Sequence, residues 1–248
     1  MHAFAEVSAW HRGCLPRPVV PTLPSIDAQR DVARSPRGHG VALVLVDWIN
    51  DFDFPDADGL LAAALPAAER TAELRERATA ARIPVIYVND NFGCWRSDFE
   101  RVIERCLRRR GARIVELLTP RDDDYFVLKP KHSAFLHTPL ELLLDHLGVG
   151  RLILTGLAGN ICVLFTAHDA HMRDFAVTVP RDCVASNTPQ DNDTALVHLA
   201  RIVHADVHDA ASVVLPTGLV SPLSAGMGAG VMHDAALCDR ATRFDRRV

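Results

Sequence analysis

The 248-residue sequence predicts an α/β fold with six parallel strands in one open sheet and helices packed on both of its faces. Two observations carry this prediction. Short apolar segments recur along the chain, and longer stretches rich in alanine, leucine, glutamate and arginine separate them. Strands that are covered on both faces are continuously apolar, and parallel strands are usually connected through a helix. Hydrophobic residues make up 48% of the chain, which is enough for one sizeable core.

The elements alternate in the order that such a sheet requires. The segment VALVLVD at 41–47 is typical of a central strand. Right-handed crossovers between successive strands then predict a Rossmann-like three-layer α/β/α arrangement. The predicted strands are 41–47, 82–90, 125–129, 151–156, 175–180 and 212–216, and the predicted helices are 60–81, 98–110, 138–148, 160–173 and 190–204.

Both ends of the chain depart from this pattern. Residues 1–38 are rich in proline, which removes backbone donors and fixes φ, so we expect an extension there. Residues 39–220 form the predicted folded domain. The stretch 221–248 is rich in glycine and alanine without clear periodicity, and we interpret it as a C-terminal tail.

Composition narrows the class of partner. The formal charge of −4 and a pI near 6.3 indicate no general attraction to nucleic acid or to anionic membranes. The six cysteines form no CxxC pair and are widely spaced, which argues against a zinc cluster and a disulfide scaffold. No apolar run approaches the roughly 18 residues of a membrane span. We therefore expect reduced thiols, a cytoplasmic location and a small-molecule substrate.

Three chemically reactive side chains stand where predicted strands end. Asp47 closes the first strand, Lys129 closes the third, and Cys162 follows the fourth across a short turn. Open parallel sheets bind ligands beyond the carboxyl ends of their strands, so these residues are candidates for one site. Each also has an ordinary explanation: a capping Asp, a Lys that reaches water, and a Cys that fills the core. Taken separately, these explanations do not account for three reactive residues standing at the ends of predicted strands.

Together the three residues could form a catalytic triad. A helix N-terminus and the Lys129 ammonium would lower the pKa of the Cys162 thiol from about 8.5 toward neutrality. Asp47 could then take the thiol proton and pass it to a leaving amine. Backbone N–H groups in the turn at 158–162 could stabilise an oxyanion.

The segments VLVDWINDF, VLKPKHSAF and GLAGNICVLFTAHDA resemble the corresponding motifs of the isochorismatase-like cysteine hydrolase family, over residues 40–216. The resemblance implies that Asp47, Lys129 and Cys162 are the catalytic triad. It further implies an oxyanion hole made by the N–H groups of Ala158 and Cys162, and a cis peptide between Leu157 and Ala158. Phe52 matches a common pocket aromatic. Family members often form homodimers or homotetramers, which we expect here too.

Two differences between this sequence and particular members of the family narrow the range of expected reactions. Nicotinamidase-type members hold a metal through an Asp-x-His pattern after the second strand, but residues 88–99 contain no histidine. We therefore expect no metal and no cofactor. Members that cleave isochorismate lack the cysteine, so Cys162 favours an acyl-enzyme and a C–N bond in a small amide, carbamoyl or ureido compound. Phe92 and Trp95 are candidates for a wall of the substrate pocket.

Two other functions stay open. A non-catalytic binding or scaffolding subunit of the same fold is the stronger alternative. A magnesium-dependent phosphatase is remote, because its Asp-x-Asp pair begins at the strand end, whereas Asp51 and Asp53 follow Asp47 too late. His132 and Ser133 lie close to Lys129, and we interpret them as structural.

Overall fold

The computed structural model describes residues 37–95 and 98–216. In these residues strands and helices alternate, and every strand pairing is parallel. The strands are β1 (Gly40–Val46), β2 (Val85–Asp90), β3 (Tyr125–Lys129), β4 (Val149–Leu157), β5 (Ala176–Thr178) and β6 (Val184–Ala185). The helices are α1 (Ala57–Ala80), α2 (Phe99–Leu107), α3 (Ala112–Leu117), α4 (Leu140–His146), α5 (Leu164–Met172) and α6 (Pro189–His198).

The strand order is β3-β2-β1-β4-β5, and β6 pairs with the end of β4 beyond β5. This confirms the predicted six-stranded parallel sheet with flanking helices. The central position of β1 follows from its sequence. Leu43 and Leu45 pack into the core that α1 covers, while Val44 and Val46 pack into the core on the other face. Both faces of the strand are therefore buried, as a continuous apolar run requires.

Helix α1 covers one face of the sheet because its small and apolar residues recur at helical spacing. Leu60, Ala64, Ala68 and Leu74 are buried on one side of the helix. Alanine and leucine have high helix propensity, which favours this long helix. The prediction of 60–81 was short by about one turn at the start of the helix.

The predicted last strand at 212–216 is wrong. This segment contains the end of a 3₁₀ turn, Ala210–Ser212, followed by irregular chain. Its carbonyl groups accept hydrogen bonds from arginines instead of a neighbouring strand. Arg77 donates to the carbonyls of Ala210 and Val213, both at 2.7 Å, and Arg151 donates to that of Val214 at 3.0 Å. The sixth strand is the two-residue β6, which is too short for any periodicity to reveal.

Smaller differences concern element limits. The short helix α3 was not predicted, and β2 and β5 are shorter than the predicted 82–90 and 175–180. The predicted tail lies outside the described residues, as does the predicted extension up to residue 36, so the domain limits stay predictions. Among the described residues, no helix is both long and apolar enough to cross a membrane.

Candidate active site

The carboxyl edge of the sheet brings the ends of four strands together. Val46, at the end of β1, pairs with Val88 on one side and with Gly156 on the other. At the ends of β2 and β3, Asp90 and Lys129 are directly opposite each other. Residues that follow or close these strands therefore project into one region, as expected for an open parallel sheet.

Asp47, Lys129 and Cys162 meet at this edge. The Lys129 Nζ atom lies 2.8 Å from Asp47 Oδ2 and donates a hydrogen bond to Cys162 Sγ at 3.6 Å. The Lys129 residue has 0% exposure and Asp47 has 5%, whereas Cys162 is half-buried. The ammonium group thus joins the carboxylate to the thiol, and the thiol is the member of the three that solvent reaches most.

The backbone holds Asp47 in an uncommon conformation. Its φ of 53° lies in the left-handed region, which non-glycine residues rarely adopt and which is concentrated at functional sites. Its second carboxylate oxygen, Oδ1, accepts a hydrogen bond of 2.7 Å from the Asp90 N–H. The Asp47 N–H donates to the Val88 carbonyl at 2.9 Å. These contacts fix the carboxylate between the ends of β2 and β3.

Cys162 lies in a π-helical turn, Gly159–Val163, that follows β4 and leads directly into α5. The peptide bond between Leu157 and Ala158 is cis, as the family resemblance implied. The carbonyl of Ala158 accepts hydrogen bonds from the N–H groups of Ile161 and Val163, at 3.0 and 3.2 Å. These two hydrogen bonds stabilise the turn that presents Cys162.

Two residues of a neighbouring segment support this turn, and sequence reasoning missed both. The Ser186 hydroxyl accepts a hydrogen bond from the Asn160 N–H at 3.1 Å and donates one to Asn192 Oδ1 at 3.0 Å. Ser186 follows β6 directly, and Asn192 is on α6. A strand of two residues carries no sequence signal, so nothing in the sequence places Ser186 beside the cysteine.

The electrostatics of the site differ from the prediction in one respect. Burial, and secondly the negative charge of Asp47, raises the pKa of the Cys162 thiol to about 12, although the Lys129 ammonium opposes this. This shift has the opposite direction to the predicted lowering of the thiol pKa. Burial also raises the pKa of the Asp47 carboxyl, against the opposing charge of Lys129. For Lys129 itself, burial is the largest influence and lowers the pKa, but the nearby Asp47, Cys162 and Asp90 together outweigh it, so the net direction is up.

Two further groups lie close to the three candidates. Asp90 Oδ2 is 3.8 Å from Lys129 Nζ, and the side chain is partly exposed. His132 Nδ1 is 4.0 Å from Cys162 Sγ, and the imidazole ring packs against Phe165 with 5.6 Å between ring centroids. The interpretation of His132 as merely structural missed this proximity, because the sequence does not show how the loop after β3 folds back.

The three aromatic residues predicted for the pocket occupy different environments. Phe52 is fully buried in the core on the α1 face and stacks with Phe54 at 6.3 Å. Phe92 is half-buried, its N–H donates to Asp90 Oδ1 at 2.7 Å, and the Arg105 guanidinium lies 4.9 Å from its ring centroid. Trp95 is 83% exposed. Phe92 is therefore linked to the site through Asp90, and the pocket role of all three residues stays a prediction.

Within residues 37–95 and 98–216, no three or more His, Cys, Asp or Glu side chains form a group that could hold a metal ion. The free cysteines of this part are Cys94, Cys106, Cys162 and Cys183.

The fold is that of an α/β protein with a candidate site at the carboxyl edge of its parallel sheet, and comparison with known proteins gives the family. Residues 41–212 match the family model for the isochorismatase domain. The chain belongs to the isochorismatase family.

Similar proteins include both uncharacterized and characterized members. The uncharacterized isochorismatase family protein YaaI of Bacillus subtilis is 42% identical over 166 residues, which cover 67% of this chain and 92% of that protein. The ureidoacrylate amidohydrolase RutB of Methylobacterium radiotolerans is 32% identical over 113 residues, covering 46% of this chain and 44% of that enzyme. The crystal structure of N-carbamoylsarcosine amidase from Thermoplasma acidophilum is similar with a TM-score of 0.54 and 28% identity, covering 70% of this chain and 98% of that chain.

Proposed function

We propose that this protein hydrolyses the C–N bond of a small amide, carbamoyl or ureido compound through a thioester on Cys162. The observation that carries the proposal is the position of the Lys129 ammonium nitrogen, 2.8 Å from an Asp47 oxygen and 3.6 Å from the Cys162 sulfur. A buried carboxylate, a buried ammonium and a half-buried thiol in contact are the parts that nucleophilic catalysis needs.

In the first half-reaction the neutral thiol loses its proton as it attacks. Asp47 accepts the proton, and the Lys129 ammonium stabilises the negative charge that develops on sulfur. The sulfur forms a bond with the carbonyl carbon of the substrate, and the carbonyl oxygen becomes an oxyanion. The N–H groups of Ala158 and Cys162 are the proposed donors to it. The C–N bond then breaks, and the proton on Asp47 goes to the leaving nitrogen, which departs as ammonia or an amine.

In the second half-reaction a water molecule attacks the thioester carbon. A C–O bond forms, the C–S bond breaks, and a water proton returns to the sulfur, so that the resting thiol is regenerated. The raised pKa of Cys162 favours this return, because a strongly basic thiolate recaptures its proton at neutral pH.

The substrate class rests on chemistry and on similarity together. A cysteine nucleophile makes an acyl or carbamoyl thioester, which suits amide, carbamoyl and ureido compounds. Two similar proteins have names that describe such reactions: one is an N-carbamoylsarcosine amidase and the other a ureidoacrylate amidohydrolase. We extend their substrate class, though not their particular substrates, to this chain.

The test is a screen for ammonia release from simple amides, nicotinamide, N-carbamoyl amino acids and ureido acids. We expect turnover of at least one compound by the wild type and by Cys94→Ala, which removes an exposed thiol as a matched control. Cys162→Ala should lower turnover at least about 10³-fold, as loss of a nucleophile does. Binding of these compounds without turnover by the wild type would instead identify a non-catalytic binding subunit.

The expected homodimer or homotetramer and the cytoplasmic location stay predictions. Light scattering of the purified full chain measures the first, and fractionation of the source cells measures the second.

A further inference from the structure

His132 lies beside the sulfur on a side that solvent reaches. Of the two nitrogen atoms near Cys162 Sγ, Lys129 Nζ belongs to a fully buried residue, whereas His132 is half-buried. Of these two groups, the imidazole is therefore the more accessible to water.

The loop that carries His132 is held firmly against α5. The hydroxyl of Ser133 is hydrogen-bonded to Asp169, and the Ala134 N–H donates to Thr166 Oγ1 at 3.0 Å. On its other side, the imidazole packs against the ring of Phe165. These contacts hold the loop that carries His132 close to the cysteine turn, because Thr166 and Phe165 belong to the helix that follows that turn.

Asp47 is less accessible to an incoming water molecule than His132 is. One carboxylate oxygen contacts Lys129 at 2.8 Å, the other accepts the Asp90 N–H at 2.7 Å, and the residue is almost inaccessible to solvent. An imidazole that carries its proton on Nε2 has a free lone pair on Nδ1, which can accept a proton from a water molecule.

We propose that His132 is a further catalytic residue, whose Nδ1 accepts a proton from the water that hydrolyses the thioester. The water oxygen forms a bond with the acyl carbon, the C–S bond breaks, and the proton on Nδ1 is then returned to the sulfur. This assignment rests on the proposed function, since it needs a thioester on Cys162. In this mechanism Asp47 accepts the proton during acylation, and His132 accepts it during deacylation.

The test uses p-nitrophenyl acetate, which acetylates cysteine and releases coloured p-nitrophenolate. His132→Phe keeps a ring that can pack on Phe165 but removes the acceptor nitrogen, and His146→Phe changes an exposed histidine at the end of α4 as the matched control. Acetyl-enzyme is measured by rapid quenching and intact mass spectrometry. General bases contribute about 10²-fold or more, so we expect His132→Phe to lose acetyl at least about 10²-fold more slowly than the wild type.

The outcomes separate this inference from the proposed function. Accumulation of acetyl-enzyme in His132→Phe alone, with release restored by hydroxylamine, supports the inference, because hydroxylamine attacks a thioester without a general base. An unchanged deacetylation rate in His132→Phe overturns the inference but leaves the nucleophile intact, as does slower acetylation without accumulation. If wild-type Cys162 is never acetylated and no p-nitrophenolate is released, the proposed nucleophile and this inference both fall.

Discussion

The ammonium nitrogen of Lys129 lies 2.8 Å from a carboxylate oxygen of Asp47, and solvent reaches almost none of either side chain. Removing one member of a buried ion pair leaves the other charge without compensation, which typically costs about 3–5 kcal/mol. We therefore expect Lys129→Met to lower the free energy of unfolding by about that amount in urea titrations. Lys131→Met, two residues further and exposed, is the control and should change it by less than about 0.5 kcal/mol.

A second variant tests whether the pair itself causes this loss. Asp47→Asn combined with Lys129→Met removes both charges, while asparagine tolerates the left-handed φ and can still accept the Asp90 N–H, so the double variant should be more stable than Lys129→Met alone. Equal stability of Lys129→Met and the wild type would show that the two charges are not coupled in the folded protein.

The charge of Asp47 should control the reactivity of the thiol. Because the Asp47 carboxylate contributes to the raised pKa of Cys162 and Lys129 opposes it, Asp47→Asn should lower the thiol pKa from about 12. The thiolate is the form that iodoacetamide alkylates, so alkylation of Cys162 at about pH 9 should become faster while amide hydrolysis is lost. Peptide mass spectrometry measures the rate, with the exposed Cys94 as the internal reference. Slower alkylation in Asp47→Asn would contradict this electrostatic account.

Gly156 permits the close approach of β4 and β1 just before the cysteine turn. Its φ is 142°, and a Cβ atom there would lie 2.1 Å from the Val46 carbonyl oxygen. Gly156→Ala should therefore destabilise the fold by about 2 kcal/mol or more, from steric overlap and an unfavourable φ, and should lower activity. Gly93→Ala is the control, because Gly93 also has a positive φ, 72°, but open space at the Cβ position. Thermal unfolding of both variants measures the difference, and similar losses would mean that the β1–β4 contact is not critical.

Ser186 should affect activity by positioning the turn. Its hydroxyl accepts the Asn160 N–H, so Ser186→Ala leaves a partly buried donor without this partner, at a cost of about 1–3 kcal/mol. We expect kcat to fall more than KM changes, because the turn presents both the sulfur and the proposed oxyanion donors. Ser212→Ala, at an exposed position, is the matched control. A change confined to stability, with kcat preserved, would argue against this positioning role.

Metal removal should leave the reaction unchanged. The proposed proton transfers use side chains alone, so dialysis against EDTA should not alter ammonia release, and added Zn²⁺ or Mn²⁺ should not increase it. A loss of activity with EDTA that a metal ion restores would require a different mechanism.

The success of sequence reasoning depended on the kind of signal. Strand β1 and helix α1 were predicted because their apolar residues recur over many positions, and long patterns are hard to produce by chance. The segment SVVLP has the composition of a strand, yet the side chains of Arg77 and Arg151 take the carbonyl groups that a neighbouring strand would have used. Hydrogen bonds between residues so far apart in the chain leave no pattern in the local sequence.

The sequence by itself determined the family, the parallel sheet and the three residues that end its strands, since these follow from periodicity and from motifs of adjacent residues. The tertiary structure decided that the surroundings of Cys162 raise the pKa of its thiol, that Ser186 supports its turn and that His132 stands beside the sulfur. Each of these depends on burial or on contacts between residues far apart in the chain, such as the 26 positions between Asn160 and Ser186 and the 30 between His132 and Cys162. Solvent exclusion and the sum of nearby charges exist only after the chain has folded, which is why no stretch of sequence could reveal them.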